Sequence, residues 1–257
     1  MKNEPLVSVV MNCLNCSEFL KSSLESVYAQ TYKNWEIIFW DNASCDDSYK
    51  IAKSYNSKLK YYHVDQTVPL YEARNFAIEK CEGELIAFLD CDDIWINTKL
   101  EKQVKMYSKF TPLIYSKFQF IDENSQEIST KLPSPTVNKI STKLLINNPI
   151  SISGVLVDSQ LLKNEKFNKI YNLLGDLELW FRLSLICEFA FVDEVLELSR
   201  QHPNTTSLIN KKKWIKEQRI FYKDCLKSSL ARNKVGIIKI IRYILKCELL
   251  GIISLVR

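Results

Sequence analysis

The chain has 257 residues, 46% of them hydrophobic, enough for one large α/β domain or one domain with an appendage. Its five glycines, at 83, 154, 175, 236 and 251, form neither G-x-G-x-x-G nor G-x-x-x-x-G-K, which excludes the dinucleotide fingerprint and the P-loop. The net charge of +5 is uneven: residues 210–257 hold 13 Lys/Arg against 3 Asp/Glu, while the first 209 residues are mildly acidic, so an anionic partner is expected for the tail.

Leu6 to Met11 is apolar and β-branched and reads as a buried strand, ended by the polar run Asn12 to Asn15. Ser17 to Gln30 carries apolar residues at 20, 24 and 27, a helical stripe with Ser17 as N-cap. Trp35 to Trp40 is a second strand, closed by Asp41 to Asp47, and Ser44 or Asp46 can cap a short helix running to Tyr55. Leu59 to Val64 is a third strand, Tyr71 to Cys81 a helix stopped by Gly83, and Leu85 to Leu89 a fourth strand. This alternation predicts an α/β fold with a doubly wound, mostly parallel, Rossmann-like sheet. Further on, a helix is expected over Thr98 to Lys109, a hairpin from 112–122 and 127–132, a short helix over Ser141 to Ile146 and a strand over Ile152 to Val157. A loop over 163–174, a helix from Leu177 to Ile186, a strand from Phe189 to Leu196, a loop over 200–207 and basic helices complete the chain.

The chemistry concentrates at the end of the fourth strand, where an apolar run closes in Asp90-Cys91-Asp92-Asp93. Alternation along a strand turns Asp90 and Asp92 to one side and Cys91 to the other. Two adjacent carboxylates repel unless a cation lies between them, and Mg²⁺ takes one or two carboxylates together with substrate phosphates. A divalent ion and a phosphorylated ligand are therefore expected where open α/β sheets keep their ligands. Asp93, just before Ile94-Trp95, could instead cap a following helix. Cys13 and Cys16 have C-x-x-C spacing, but no second pair exists, so the eight cysteines read as free thiols in a reducing compartment. No cleavable signal peptide is expected at the start.

Six stretches occur together: Val7-Ser-Val-Val, Ser26-Val-x-x-Gln-Thr-Tyr32, Asp41-Asn-Ala-Ser-x-Asp46, Ala73-Arg-Asn75, Gly83 to Asp93, and Gly175-Asp176 ahead of Leu179-Trp180-x-Arg182. In this order and spacing the chain resembles an inverting family 2 glycosyltransferase of the GT-A fold, of the kind that builds bacterial surface polysaccharide or lipopolysaccharide. The resemblance implies a nucleotide-sugar donor, a divalent metal (Mn or Mg) and inversion at the anomeric carbon. It implies Asp92 as metal ligand and Asp90 as a contact to the ribose or a metal-bound water. Asp41 matches the acid that hydrogen-bonds the base, which favours a UDP-sugar, and Asn12 and Leu14 line the same base. Arg74 suits a phosphate or a base carbonyl, and His202 a diphosphate or metal contact. Asp176 matches the catalytic base, without the adjacent acid the family often has, and its plainer role would be a helix cap.

The expected division is a catalytic domain over 1–207 and a helical extension over 208–257. In the extension, Lys239, Arg242 and Lys246 punctuate a strongly apolar helix, as expected at an anionic membrane surface. Packing against the body or in a homodimer interface is the competing use. Few aromatics interleave these bases, so nucleic acid is not an expected partner. The chain is thus expected at the cytoplasmic face of the plasma membrane, acting on a glycan or lipid-linked acceptor. A catalytically silent scaffold is the alternative, and the intact Asp41, Asp90, Asp92 and Asp176 argue against it.

Overall fold

The apolar runs beginning at Val7, Trp35 and Leu85 are buried on both faces and serve as central strands covered on each side, while the run from Leu59 to His63 forms a sheet edge. The computed structural model describes residues 4–129, 140–203, 205 and 211–256. Strand β1 (Val7–Cys13) pairs in parallel with β2 (Trp35–Asp41), from Val7 opposite Trp35 to Cys13 opposite Asp41. Strand β3 (Leu59–His63) lies outside β2, and β4 (Leu85–Phe88) lies on the other side of β1, both parallel. Parallel strands bring the polar loops after β1, β2 and β4 to one edge of the sheet.

The second half makes the sheet mixed. Its full order is β3-β2-β1-β4-β7-β6-β8-β5. Strand β7 (Val155–Asp158) runs antiparallel to both β4 and β6 (Leu113–Ile121). Strand β8 (Phe189–Arg200) is parallel to β6, with a register break near Lys117, and the two-residue β5 (Ile94–Trp95) is antiparallel to β8. Among the described residues, the hairpin expected from 112–122 and 127–132 shows an isolated antiparallel bridge between Ile121 and Glu127. Its later residues, from 130, lie outside the described residues.

Helices cover both faces. On one side α1 (Ser17–Tyr28), α2 (Ser48–Lys53) and α4 (Lys99–Met106) close a core around Val9, Leu24, Ile37 and Trp95. On the other, α3 (Leu70–Glu79), α5 (Ile140–Ile146), α6 (Ser159–Glu165) and α7 (Gly175–Ile186) close a second core around Phe88, Tyr115 and Trp180. Each large apolar side chain buried there contributes about 1.5–3 kcal/mol.

One capping expectation and one loop expectation change. Cys16, not Ser17, is the N-cap of α1, and it makes no side-chain cap bond. The cap comes from another loop: Asp46 Oδ2 accepts the Ser17 amide at 2.9 Å, while its Oδ1 accepts the Ser48 amide at 3.0 Å, so one carboxylate closes both α1 and α2. Within the stretch read as a loop from residue 163, α6 continues to Glu165, begun by Asp158 accepting the Leu161 amide at 3.1 Å.

The C-terminal segment forms α8 (Lys211–Lys227), α9 (Ser229–Val235) and α10 (Ile237–Val256), with Gly236 at φ +96° between the last two. Phe221, Tyr222, Cys225, Ala231, Val235, Ile240 and Cys247 belong to the same core as Trp180. Tyr222 donates to the Leu145 carbonyl at 2.9 Å and Lys234 to the Ser184 carbonyl at 2.8 Å. The segments before and after the expected boundary at 207/208 therefore share one core; the boundary itself lies outside the described residues. Among the described residues no helix is long and apolar enough to cross a membrane.

Candidate active site

Strand β4 ends at Phe88, and Asp90 to Asp93 form a turn closed by the Asp93 amide on the Asp90 carbonyl at 3.1 Å. Asp90 and Asp92 both face the cleft at the sheet edge, so the expected convergence holds, although a turn and not strand alternation produces it. Cys91, between them, is buried at the floor of the cleft. The cleft has two lobes of about 450 and 570 Å³, and Asp90 and Asp92 line both. Those volumes lie within the usual range of small-molecule and cofactor sites.

Arg74 is not a surface cation. It is 3% exposed, and its Nη2 lies 2.7 Å from Asp90 Oδ1. Asp92 Oδ2 lies 3.1 Å from His202 Nε2. Burial, and next the charge of Asp90, raise the Asp92 carboxyl above its usual range, with His202 opposing. Asp93 does not cap a helix, because Ile94–Trp95 is strand β5. Instead it accepts the Ser153 hydroxyl at 2.7 Å and the Arg200 amide at 2.9 Å, bracing the turn from below. The Arg200 guanidinium donates to the Asp92 carbonyl at 2.9 Å and lies over the Phe19 ring. Ser153 and Arg200 escaped the motif reading because they lie 60 and 107 positions from Asp93 in the chain. The donor set fits a divalent ion: Asp92, raised by burial and by the neighbouring Asp90, gains most from a cation, and carboxylate oxygens suit Mg²⁺ or Mn²⁺.

The first lobe is walled by the loops after β1 and β2. Asn12, Leu14, Asn15, Asn42 and Val68 line it, and Leu14 is 44% exposed. The Asn12 amide nitrogen is buried without a hydrogen-bond partner among the described residues. Asn15 takes φ +56°; its backbone amide donates to Ser44 Oγ at 3.0 Å and its side-chain Oδ1 accepts the Cys45 amide at 2.8 Å. Asp41 does not line this lobe. Strand β2 runs one residue further than expected and carries Asp41 into the wall, where it is 1% exposed. Its carboxylate accepts from the Ser44 amide at 2.8 Å and the Tyr61 hydroxyl at 2.5 Å. Asn42, the next residue, faces the lobe and pairs with both backbone groups of Val68, at 2.8 and 3.1 Å.

The second lobe holds Asp176, in the first turn of α7, together with Tyr71, Arg74, Asn148 and Trp214. Leu174 is the N-cap of α7, so Asp176 is not spent as a helix cap. The Tyr71 hydroxyl donates to Asp176 Oδ1 at 3.1 Å and Asn148 Nδ2 to Oδ2 at 3.4 Å. Burial raises the Asp176 carboxyl. Gly175 is required here by space: a Cβ would stand 2.5 Å from the Tyr71 ring. Glu178 points elsewhere, to Arg182 Nε at 2.7 Å. The segment leading into α7 is held by Glu217 of α8, whose carboxylate accepts the amides of Asn172, Leu173 and Leu174 at 2.9, 2.9 and 3.0 Å. Beside it on α8, Lys213 lines the first lobe and Trp214 the second. Tyr71, Asn148 and Glu217 were not singled out from sequence. The one available signal was Glu217 as the sole acid in the basic run from Lys211 to Lys223.

The sequence profile described as Glycosyl transferase family 2 matches residues 8–169. The chain is 32% identical over 231 residues to an Escherichia coli protein named UDP-Glc:alpha-D-GlcNAc-diphosphoundecaprenol beta-1,3-glucosyltransferase WfgD, covering 88% of this chain and 89% of that one. An uncharacterised glycosyltransferase of Rickettsia typhi is 29% identical over 211 residues, 79% of this chain and 66% of the relative. One from Rickettsia felis matches at 29%, with 77% of this chain covered and only 34% of the longer protein. Among solved structures, Staphylococcus aureus TarS 1-349 in complex with UDP-GlcNAc superposes with a TM-score of 0.71 at 18% identity, over 89% of this chain and 69% of that one. A Pyrobaculum calidifontis mannosyltransferase in complex with GDP-Man and Mn²⁺ superposes at 0.68 with 12% identity, over 94% and 74%. These structures share the mixed sheet with its covering helices, the GT-A arrangement. With the profile over more than half its length and the cleft described above, this chain belongs to glycosyltransferase family 2 and is a transferase enzyme.

Proposed function

We propose that the chain transfers a sugar, with inversion, from a UDP-sugar to a hydroxyl of a lipid-linked glycan in bacterial surface polysaccharide synthesis. The observation that carries this reading is that Asp90, Asp92 and Asp176 line one lobe, with the buried Arg74 paired to Asp90 at 2.7 Å. A carboxylate pair suited to a cation thus shares a cavity with a third, separately held carboxylate. Support for a UDP donor and a polyprenyl-diphosphate acceptor comes from the printed name of the E. coli relative, and for UDP also from the TarS complex.

In this reading the first lobe takes the nucleotide. The Asn12 amide nitrogen offers a donor for a base carbonyl, and Leu14 packs against the ring face without aromatic stacking. Asp41 acts indirectly, by fixing the Ser44 and Tyr61 groups that shape the loop. A divalent ion, Mg²⁺ or Mn²⁺, would be held by Asp92 with Asp90 and His202 beside it, and would neutralise charge on the leaving diphosphate. Remote grip on base and ribose positions the anomeric carbon. Asp176 accepts the proton of the incoming acceptor hydroxyl, from the face opposite the leaving group. Tyr71 and Asn148 fix the orientation of that carboxylate, and its raised pKa makes it a stronger base than a free aspartate.

The reading also places the chain peripherally on the inner face of the plasma membrane. Ile238, 80% exposed, and Leu245, 65% exposed, lie with Ile241 on the outer side of α10, interleaved with the exposed Lys239, Arg242 and Lys246. An apolar stripe flanked by bases suits anionic headgroups. The deciding assay incubates the full chain with Mn²⁺, a panel of UDP-, GDP- and TDP-sugars and a GlcNAc-diphosphoundecaprenol acceptor. Transfer from a UDP-sugar is expected. Transfer only from another nucleotide-sugar overturns the donor assignment, and transfer only to lipid-free glycans overturns the acceptor. Ile238→Ser with Leu245→Ser should release the protein from anionic liposomes; unchanged co-sedimentation removes the membrane contact.

A further inference from the structure

The thiols of Cys13, Cys16 and Cys91 meet at the floor of the first lobe, although they come from three separate places: the end of β1, the N-cap of α1 and the turn after β4. Their sulfur atoms all lie within 4.8 Å of one another. We propose that these three cysteines form a site for one soft divalent cation of the zinc class, separate from the carboxylate pair. At a Zn–S distance of ~2.3 Å, a tetrahedral ion holds two sulfurs about 3.8 Å apart. No pair in the cluster lies beyond 4.8 Å, so it closes to that span by bringing its sulfurs together by about 1 Å at most.

Three further observations fit. First, the thiols meet neutral groups and no charged partner among the described residues: Cys13 meets Ser44 Oγ at 3.7 Å, Cys16 donates to the Leu14 carbonyl at 3.5 Å and Cys91 to the Asn12 carbonyl at 3.4 Å. Second, Cys13 and Cys91 are buried while Cys16 is half-buried and lines the lobe, so a closed side faces the core and an entry path faces the cleft. A set of three thiolates with one open position results, and the open position points where ligand or water can complete a tetrahedron. Third, the two sites in the cleft differ in chemistry. Thiolates select zinc-class ions, whereas the Asp90 and Asp92 oxygens suit Mg²⁺ or Mn²⁺. The C-x-x-C spacing lacked a second pair in sequence, and the sheet supplies the third thiol by placing β4 beside β1.

The inference rests on the thiols alone and is independent of the proposed reaction. The test uses the full chain, reduced and metal-free, titrated with Co²⁺ in excess Mg²⁺, which fills oxygen sites. Co²⁺ bound to thiolate gives sulfur-to-metal charge-transfer absorbance, and Co²⁺ bound to carboxylate does not. The expected result is a band that saturates at one Co²⁺ per chain and is displaced by Zn²⁺. The band should vanish in Cys16→Ser and persist in Cys45→Ser and Asp92→Ala. Cys16 is half-buried, so its serine variant should keep the wild-type melting temperature, which confirms that loss of the band is not loss of fold. Absence of the band in the wild-type chain, or its survival in Cys16→Ser, overturns the proposal.

Discussion

The two lobes of the cleft are held by different means. The first is built from loops that follow neighbouring parallel strands, tied to one another by pairs no more than 30 positions apart: Asn15 to Ser44 and Cys45, and Asp46 to both Ser17 and Ser48. The second is assembled from segments far apart in the chain: Tyr71 reaches Asp176 across 105 positions, and Glu217 of α8 holds the backbone at Asn172 to Leu174. The proposed nucleotide side of the site is thus a property of the sheet, while the side carrying the proposed base depends on the C-terminal helices.

That contrast can be broken or sharpened by substitution. The largest effect is expected from Asp176→Asn, which removes the proton acceptor without touching the first lobe. Turnover should fall by about 10²–10⁴-fold, while stabilisation by UDP should be unchanged. Because burial raises the Asp176 carboxyl, the acidic limb of the wild-type kcat/KM profile should lie above the pH expected for an ordinary aspartate. A limb at the ordinary position, or full turnover in the variant, removes Asp176 from the role.

Glu217→Ala comes next. It leaves three backbone amides without their acceptor, and each unsatisfied buried group costs about 1–3 kcal/mol. Chemical denaturation should show a loss on the order of 3 kcal/mol, with turnover impaired more than UDP binding. Equal damage to both would mean that the lobes are not separable. Gly175→Ala is smaller: its Cβ would overlap the Tyr71 ring, and overpacking of this kind costs about 1–3 kcal/mol. The expected reading is a lower melting temperature and reduced kcat at unchanged affinity for UDP.

The smallest effect is on the first lobe itself. Asp46→Ala removes a shared helix cap, a loss of about 1 kcal/mol. Burial raises the Asp46 carboxyl, but hydrogen bonds from Ser48 and Ser17 override it and hold the group at about 2, against 3.8 for a free aspartate. A depressed pKa means that its contribution is complete above 3.8 and is lost as pH falls towards 2. Wild type and variant should therefore differ in stability at neutral pH and converge in strong acid.

Sequence and structure agree most closely where apolar runs end in chemistry. The run from Leu85 to Leu89 closing in three carboxylates, and Gly175-Asp176 opening a helix, could be read as site elements because the signal is local. Asp41 sits differently from the expected open position for a local reason as well: β2 continues one residue further and turns that carboxylate into the wall, leaving Asn42 at the surface of the lobe. Glu217 could not be read, because its partners are backbone amides more than forty positions away and its neighbours are basic. The same basic, apolar stretch suggested a separate membrane-facing tail. In the structure Phe221, Val235 and Ile240 complete the core, and only the outer side of α10 remains to face a membrane.

The central claim is that Asp92 and the first lobe form a metal-assisted site for a uridine nucleotide. It is tested most directly by thermal-shift titration of the full chain with UDP, GDP, CDP and TDP, each with and without Mn²⁺. A ligand at a hundred times its Kd adds about 2.7 kcal/mol to stability. The account predicts a shift with UDP that requires Mn²⁺ and disappears in Asp92→Ala. A UDP shift that ignores the metal, or one that survives in Asp92→Ala, would contradict it.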